Sequence, residues 1–468
     1  MVKMNKLTLW LMSLVLLLGM LAACSGGGNN NSDSNTPPTP QSTTNESGNN
    51  SGNNQPEKEP EPEPIVYPDL GGRTISLSAW WPLAPDPETI EGQEQLARIA
   101  EVEKNYNVKI EFQEPLAWDE VNQKFIMSVL DGKPFADIIR LQWDWALPAA
   151  INGQLQKFGD YYDPNTFKAL RPSPLLLGEQ YGFQAYDPTD ASGIFFNRDI
   201  IEQLGLKSPH EYVREGNWTW DTFTELAKAA TRDTNNDGVN DYWGLAGWAH
   251  DFSIFAVASN GSKIVFEEEA REGLSDPRTM AAYDWMRQLY FDDKVWYAID
   301  TPANYSEREN NPFTQGNILF TAGWLWMQDS FNEVNLGFVP FPIGPSGSGF
   351  VSSNDAGNTW FIPAFIEDVG NVLRVFDEIS VSTIEEDYPG QTNLEGRFNY
   401  MEDVEAVRMV NTPDKMVLQY QRAFESSGFP LYDVNHQIFV EKQPVATAVD
   451  MYKQQAQAAI DQVMGGAQ

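Results

Sequence analysis

The sequence predicts an α/β protein of two lobes, each built on a mostly parallel sheet. Two observations carry that reading. Strand-like and helix-like hydrophobic patterns alternate along the chain, as βαβ units require. About 400 residues follow the polar N-terminal stretch, more than one hydrophobic core usually supports.

The elements follow in order. Arg73 to Trp81 (RTISLSAWW) alternates apolar and polar residues and reads as the first strand; Leu96, Ile99, Ala100 and Tyr106 then mark one face of a helix. VKIEFQE (Val108 to Glu114) is the second strand. Val121, Phe125, Val129 and Leu130 mark a second helix, and ADIIRLQW (Ala136 to Trp143) is the third strand. Ala191 to Leu206 runs from strand into helix. Trp220, Phe223, Leu226 and Ala230 line an amphipathic helix with Thr219 as its N-cap. The C-terminus is a long helix striped by Val445, Val449, Tyr452, Ala456, Ile460 and Val463. No internal repeat is present.

Ahead of these elements the chain changes character twice. Lys3 and Lys6 precede an apolar run from Leu7 to Ala23, too short for a spanning helix and ending in small residues, which describes a secretory signal. Its end, Leu21-Ala22-Ala23-Cys24, resembles the lipobox of bacterial lipoproteins, which implies that Cys24 is acylated and becomes the new N-terminus at the extracellular face of the membrane. Residues 25–64 are rich in Asn, Ser, Gly, Thr and Pro and end in PEKEPEPEP. Such a composition buries too little apolar surface to fold, so it is expected to be a disordered tether reaching roughly 30–40 Å.

Composition excludes several functions. A net charge of −35 leaves no basic patch to displace counterions, so nucleic acid is not a partner. Cys24 is the one cysteine, so no disulfide forms within the chain. Three histidines, His210, His250 and His436, stand far apart and in no metal-ligand spacing. Fifteen tryptophans are many for this length. In open parallel sheets ligands sit beyond the carboxyl ends of the strands. Trp80 and Trp81 follow the first strand, and Trp143 and Trp145 the third, while Trp248, Trp324, Trp326 and Trp360 would line the facing side. Flat indoles suit the C–H faces of pyranoses, and Asp144 and Asp355, with Asn358, are polar candidates for hydroxyl groups. Alternation along a strand would bury one of Trp80 and Trp81.

One loop stands apart. DTNNDGVNDYWG (Asp233 to Gly244) places oxygen-bearing side chains at Asp233, Asn235, Asp237 and Asp241 on a tight turn, which points to a hard cation. Position 12 is Gly244, where a calcium-sensor hand would carry a bidentate Glu, and the sequel YWGLAGW reads as strand. Such a site would staple rather than sense. An adhesion module of repeated calcium loops would need the motif to recur, and it occurs once.

Taken together, several segments resemble family 1 extracellular solute-binding proteins, the lipoprotein receptors of bacterial ABC importers for sugars. These are the lipobox and tether, TISLSAWWP, FADIIRLQ with NGQLQKF (Asn152 to Phe158), GIFFNRDIIEQLGL, NWTWDTFTELAKAAT, FTQGNILFTAGWLW (Phe313 to Trp326) and VPFPIGP (Val339 to Pro345). The resemblance implies a periplasmic-binding-protein-like fold of type II, with two lobes, a hinge and an interlobe ligand cleft. It implies an oligosaccharide ligand, partner permease subunits in the membrane, a monomer, and binding without chemistry. The lobes are expected at residues 65–190 plus about 318–365, and 191–317 plus about 366–468. Some relatives, similar to alginate-oligosaccharide binders, hold structural calcium away from the ligand. Carried over, that set is Asp233, Asn235, Asp237, the Val239 carbonyl and Asp241. A secreted glycoside hydrolase is the alternative, since it needs only two suitably spaced carboxylates.

Overall fold

The computed structural model describes residues 66–173, 175–185, 191–354, 359–381, 386–388, 390–412 and 414–465. The signal and tether, with Cys24, lie outside these residues, as do Asp355 and Asn358.

The chain opens with three βα units: β1 (Arg73–Ser78) and α1 (Ile90–Tyr106), β2 (Val108–Phe112) and α2 (Trp118–Leu130), β3 (Ile138–Arg140) and α3 (Trp143–Ile151). Strand β1 pairs in parallel with β2 on one side and β3 on the other. The buried face of α1 is Ile99, Val102 and Tyr106; Leu96 and Ala100, expected there, face solvent. Thr89 caps α1 by accepting from the Gly92 amide at 3.0 Å. The third strand is shorter than its sequence pattern, because the chain turns at Gln142 and Trp143 already opens a helix. Short strands β4 (Arg171–Pro172) and β5 (Phe183–Gln184) complete one edge of this sheet.

The second lobe begins at β6 (Ser192–Asn197), whose six residues are all buried. It continues through α4 (Arg198–Leu204), α5 (Pro209–Arg214), α6 (Trp220–Ala230), β7 (Trp243–Ala246) and α7 (Ala249–Ser259). The hairpin β8 (Val265–Phe266) and β9 (Arg271–Glu272) leads to α8 (Pro277–Arg287), β10 (Trp296–Tyr297), α9 (Ser306–Glu309), β11 (Ile318–Trp324) and β12 (Leu336–Pro340). Its five-stranded sheet has the order β10-β7-β11-β6-β12; β10, β7 and β11 are parallel and β6 runs against both its neighbours. Thr219 caps α6 in a reciprocal box with Thr222, as its sequence predicts.

The lobe boundaries differ from the expected ones. Residues 318–340 belong to the second sheet, with Phe320 opposite Phe196 and Trp324 opposite Ser192. A strand buried on both faces carries no pattern that says which sheet receives it. After β13 (Ser352–Asn354) the chain returns to the first sheet at β14 (Trp360–Phe361), antiparallel to β3. Helix α10 (Val369–Ser380) then packs its Val369, Val372, Leu373 and Phe376 into the core shared with α1 and β1, so it belongs to lobe 1 rather than lobe 2. Past α11 (Gln391–Arg397), α12 (Met401–Val410) returns to lobe 2. There the buried Asp403 accepts from Arg198, from His210 at 2.8 Å and from the Phe338 amide at 2.8 Å. The chain ends with β15 (Met416–Leu418), α13 (Gln421–Glu425), α14 (Leu431–Phe439) and α15 (Val445–Gly465).

Three crossings therefore join the lobes: β5 to β6, β12 to β14, and α10 to α12. Hydroxyl groups tie the first two near their meeting point. The Ser192 amide donates to Ser352 Oγ (2.9 Å), the Ser353 amide to Ser192 Oγ (2.7 Å), and Gln419 Nε2 to Ser353 Oγ (2.7 Å). The lobes also meet where α3 packs on α13, with Trp143 set edge-on against Tyr420 at 4.9 Å.

Candidate functional site

Because β1, β2 and β3 are parallel, their carboxyl ends open on one rim of lobe 1. Each delivers tryptophan there: Trp80 and Trp81 just after β1, Trp118 at the start of α2, and Trp143 and Trp145 in the first turn of α3, with half-buried Asp144 between them. The rings form a chain, with Trp81 4.7 Å from Trp80, Trp80 5.8 Å from Trp145, and Trp145 5.1 Å from Trp118. Trp80 and Trp81 are both half-buried, against the expectation that one would be buried, because β1 stops at Ser78 and its alternation with it.

Five of the eight expected tryptophans, Trp143, Trp145, Trp248, Trp324 and Trp360, are buried. Trp143 is buried, with its indole N–H donating to Thr359 Oγ1 at 3.4 Å and its ring against Tyr420. Trp360 is buried between Phe376 and the Arg140 guanidinium, 4.3 Å from the ring centre; the same guanidinium also covers Trp81 at 4.8 Å. Trp118 was missed by sequence reasoning and is 47% exposed. The signal was available: Trp118 follows the second strand as Trp80 follows the first and Trp143 the third.

Lobe 2 repeats the arrangement on its own parallel strands. Trp248 follows β7 and stacks on His250 (4.5 Å, 16° between planes), which stacks on Tyr432 (4.4 Å, 28°). Trp324 ends β11 and is buried, donating its N–H to the Ser353 carbonyl at 2.9 Å; it backs Trp326, 46% exposed, at 6.1 Å and 10°. Arg308 lies between 5.7 and 5.8 Å from the rings of Trp248, Trp324 and Trp326, and is paired with Asp251 at 3.2 Å. Burial first, and then the nearby Arg422 and Arg308, push His250 down to about 3. Its imidazole is therefore neutral at ordinary pH, held in the stack between Trp248 and Tyr432. The accessible rings are half-buried Trp80 and Trp81, beside buried Trp145, in one lobe and exposed Trp326, beside buried Trp324 and Trp248, in the other.

The Asp233 loop is exposed and wraps its own backbone. Asp233 accepts from the amides of Asn236 (2.6 Å) and Gly238 (2.8 Å), Asn235 from that of Asp237 (2.8 Å), and Asp237 from that of Val239 (2.8 Å). Asp241 accepts from the hydroxyl and amide of Thr234, which lower its pKa, the hydroxyl more strongly. Gly238 supplies the positive φ, +90°, that the turn needs. Among the described residues no group of three or more acidic, histidine or cysteine side chains gathers at metal-binding distance. Gly244, in the place of a bidentate Glu, lets β7 press on α6: a Cβ there would lie 2.4 Å from the Ala227 carbonyl oxygen.

The chain belongs to the bacterial extracellular solute-binding proteins, whose family model matches residues 87–370, more than half of its length. A putative binding protein of Brucella abortus (strain 2308) is 26% identical over 268 residues, 54% of this chain and 60% of that protein. The polygalacturonan/rhamnogalacturonan-binding protein YtcQ of Bacillus subtilis (strain 168) is 26% identical over 261 residues, 51% of this chain and 47% of that protein. The matches thus span less than two thirds of these relatives. Among solved structures, the ABC substrate-binding protein Lmo0181 of Listeria monocytogenes, in complex with cycloalternan, superposes with a TM-score of 0.56 at 17% identity, covering 84% of this chain and 99% of that one. The fold is the two-lobed one of these binding proteins. Among the described residues no helix is long and apolar enough to cross a membrane.

Proposed function

We propose that this chain is the extracellular receptor of an ABC importer, which binds an oligosaccharide between its lobes and delivers it to a membrane permease without altering it. The observation that carries this reading is the pair of tryptophan rims at the carboxyl ends of the parallel strands, one in each lobe. Indole faces stack on pyranose C–H faces, while carboxylates and amides nearby exchange hydrogen bonds with hydroxyl groups. A sugar touching both rims binds the closed arrangement better than the open one and shifts the population toward it. The names of the Bacillus relative and the Listeria complex agree with a glycan. Acylation at Cys24 would hold the receptor, as a monomer, at the outer membrane face, with residues 25–64 as its tether.

The test is a titration of the purified protein with a panel of oligosaccharides, followed by tryptophan fluorescence, with reducing ends assayed in the same mixtures. Saturable binding of unchanged sugar is expected. New reducing ends would replace the receptor with a hydrolase, and tight binding of peptides in place of sugars would overturn the ligand class.

Calcium at the Asp233 loop is a separate proposal, supported by its alternating oxygens and by an extracellular setting in which weak sites fill.

A further inference from the structure

Helix α2 leaves three large apolar side chains in water, Trp118 at 47% exposed, Met127 at 60% and Leu130 at 73%, and the first two share one depression. Trp118, Met127 and Trp145 wall this depression of about 380 Å³, to which Asp119, Asn122 and Gln123 add polar groups. Asn122 Oδ1 is shielded from solvent yet accepts no hydrogen bond among the described residues. A sequestered acceptor without a donor costs free energy until a donor arrives.

These features specify a ligand. A flat indole takes an apolar ring face, and the Asn122 and Gln123 amides with the Asp119 carboxylate offer hydrogen-bonding groups to hydroxyls. The volume is at the small end of ligand sites, which run from about 300 to 1,000 Å³, and suits one sugar ring. The depression is also continuous with the lobe 1 rim, since Trp145 lies 5.1 Å from Trp118 and 5.8 Å from Trp80. We infer that it is an outlying subsite, formed by lobe 1 alone, which holds one further ring of the oligosaccharide and makes the receptor select for chain length.

This inference rests on the carbohydrate reading, and its test separates the two. The full chain and its Trp118→Ala and Asn122→Ala variants are titrated with two ladders, α-1,4-linked glucose oligomers and galacturonic acid oligomers, each from disaccharide to hexasaccharide. In the unaltered protein, affinity for one ladder rises with length and then levels off. Trp118→Ala removes the last increment, about tenfold for the long members, and leaves the shortest unchanged. Asn122→Ala does the same more weakly, and circular dichroism confirms that both variants fold. Equal weakening at every length, or none, overturns the subsite while leaving the receptor intact. No binding of either ladder by the unaltered protein overturns both.

Discussion

His250 shows how a single side chain ties the site to acid stability. Its folded pKa is about 3 against an ordinary 6.5, because burial and the arginines Arg308 and Arg422 oppose its charge. The unfolded chain takes up a proton near pH 6.5 and the folded one does not, so stability is complete above 6.5 and is lost as pH falls toward 3. The loss is on the order of a few kcal/mol. His250→Gln is expected to flatten the fall in melting temperature across that window, measured by scanning calorimetry. The tryptophans divide by the same logic of burial. Trp326→Ala should weaken sugar binding about tenfold with little change in melting. Trp324→Ala, removing a fully buried ring, should cost roughly 3–5 kcal/mol of stability. Sequence could not make this division: Trp143 and Trp360 stand in the same kinds of positions as Trp118 and Trp81. Only packing by Tyr420, Arg140 and Phe376 makes them core.

At the scale of elements, local signals were legible where the chain states them locally. Thr219 and the Trp220–Ala230 stripe specify α6 to the residue, since cap, box and apolar face agree. Thr219→Ala should destabilise by about 1 kcal/mol, read as a lower urea midpoint with unchanged slope. The α/β alternation at β1, β2 and β3 was likewise legible. Partners distant in sequence were not. Strand β11 is apolar on both faces, and α10 has an ordinary amphipathic stripe, so neither names its lobe; each is placed by what it meets, Phe196 and its neighbours for one and the α1 face for the other. The Asp233 loop marks a third case, a motif legible as a turn whose occupant is not. Adding chelator to protein purified in calcium should lower the melting temperature while sugar affinity stays nearly constant. Identical melting with and without chelator would count against the metal.

For the molecule as a whole, the three crossings define where motion is possible, and the hydroxyl cluster of Ser192, Ser352 and Ser353 with Gln419 sits where two of them converge. Each hydrogen bond there is worth about 1 kcal/mol net, so Ser353→Ala should alter the balance of open and closed forms by roughly fivefold. Small-angle scattering with and without sugar would measure it, and an unchanged radius of gyration in both states would exclude the cluster from the hinge. The triple connection also has a consequence for damage. Neither lobe is one continuous stretch of chain, so no single scission frees either of them. An extracellular binding protein of this build, nicked once at any crossing, would remain a single particle held by its other two straps and by α3 against α13. Redundancy of this kind lets an exposed molecule survive a cut that would dismember a protein of two domains joined by one linker.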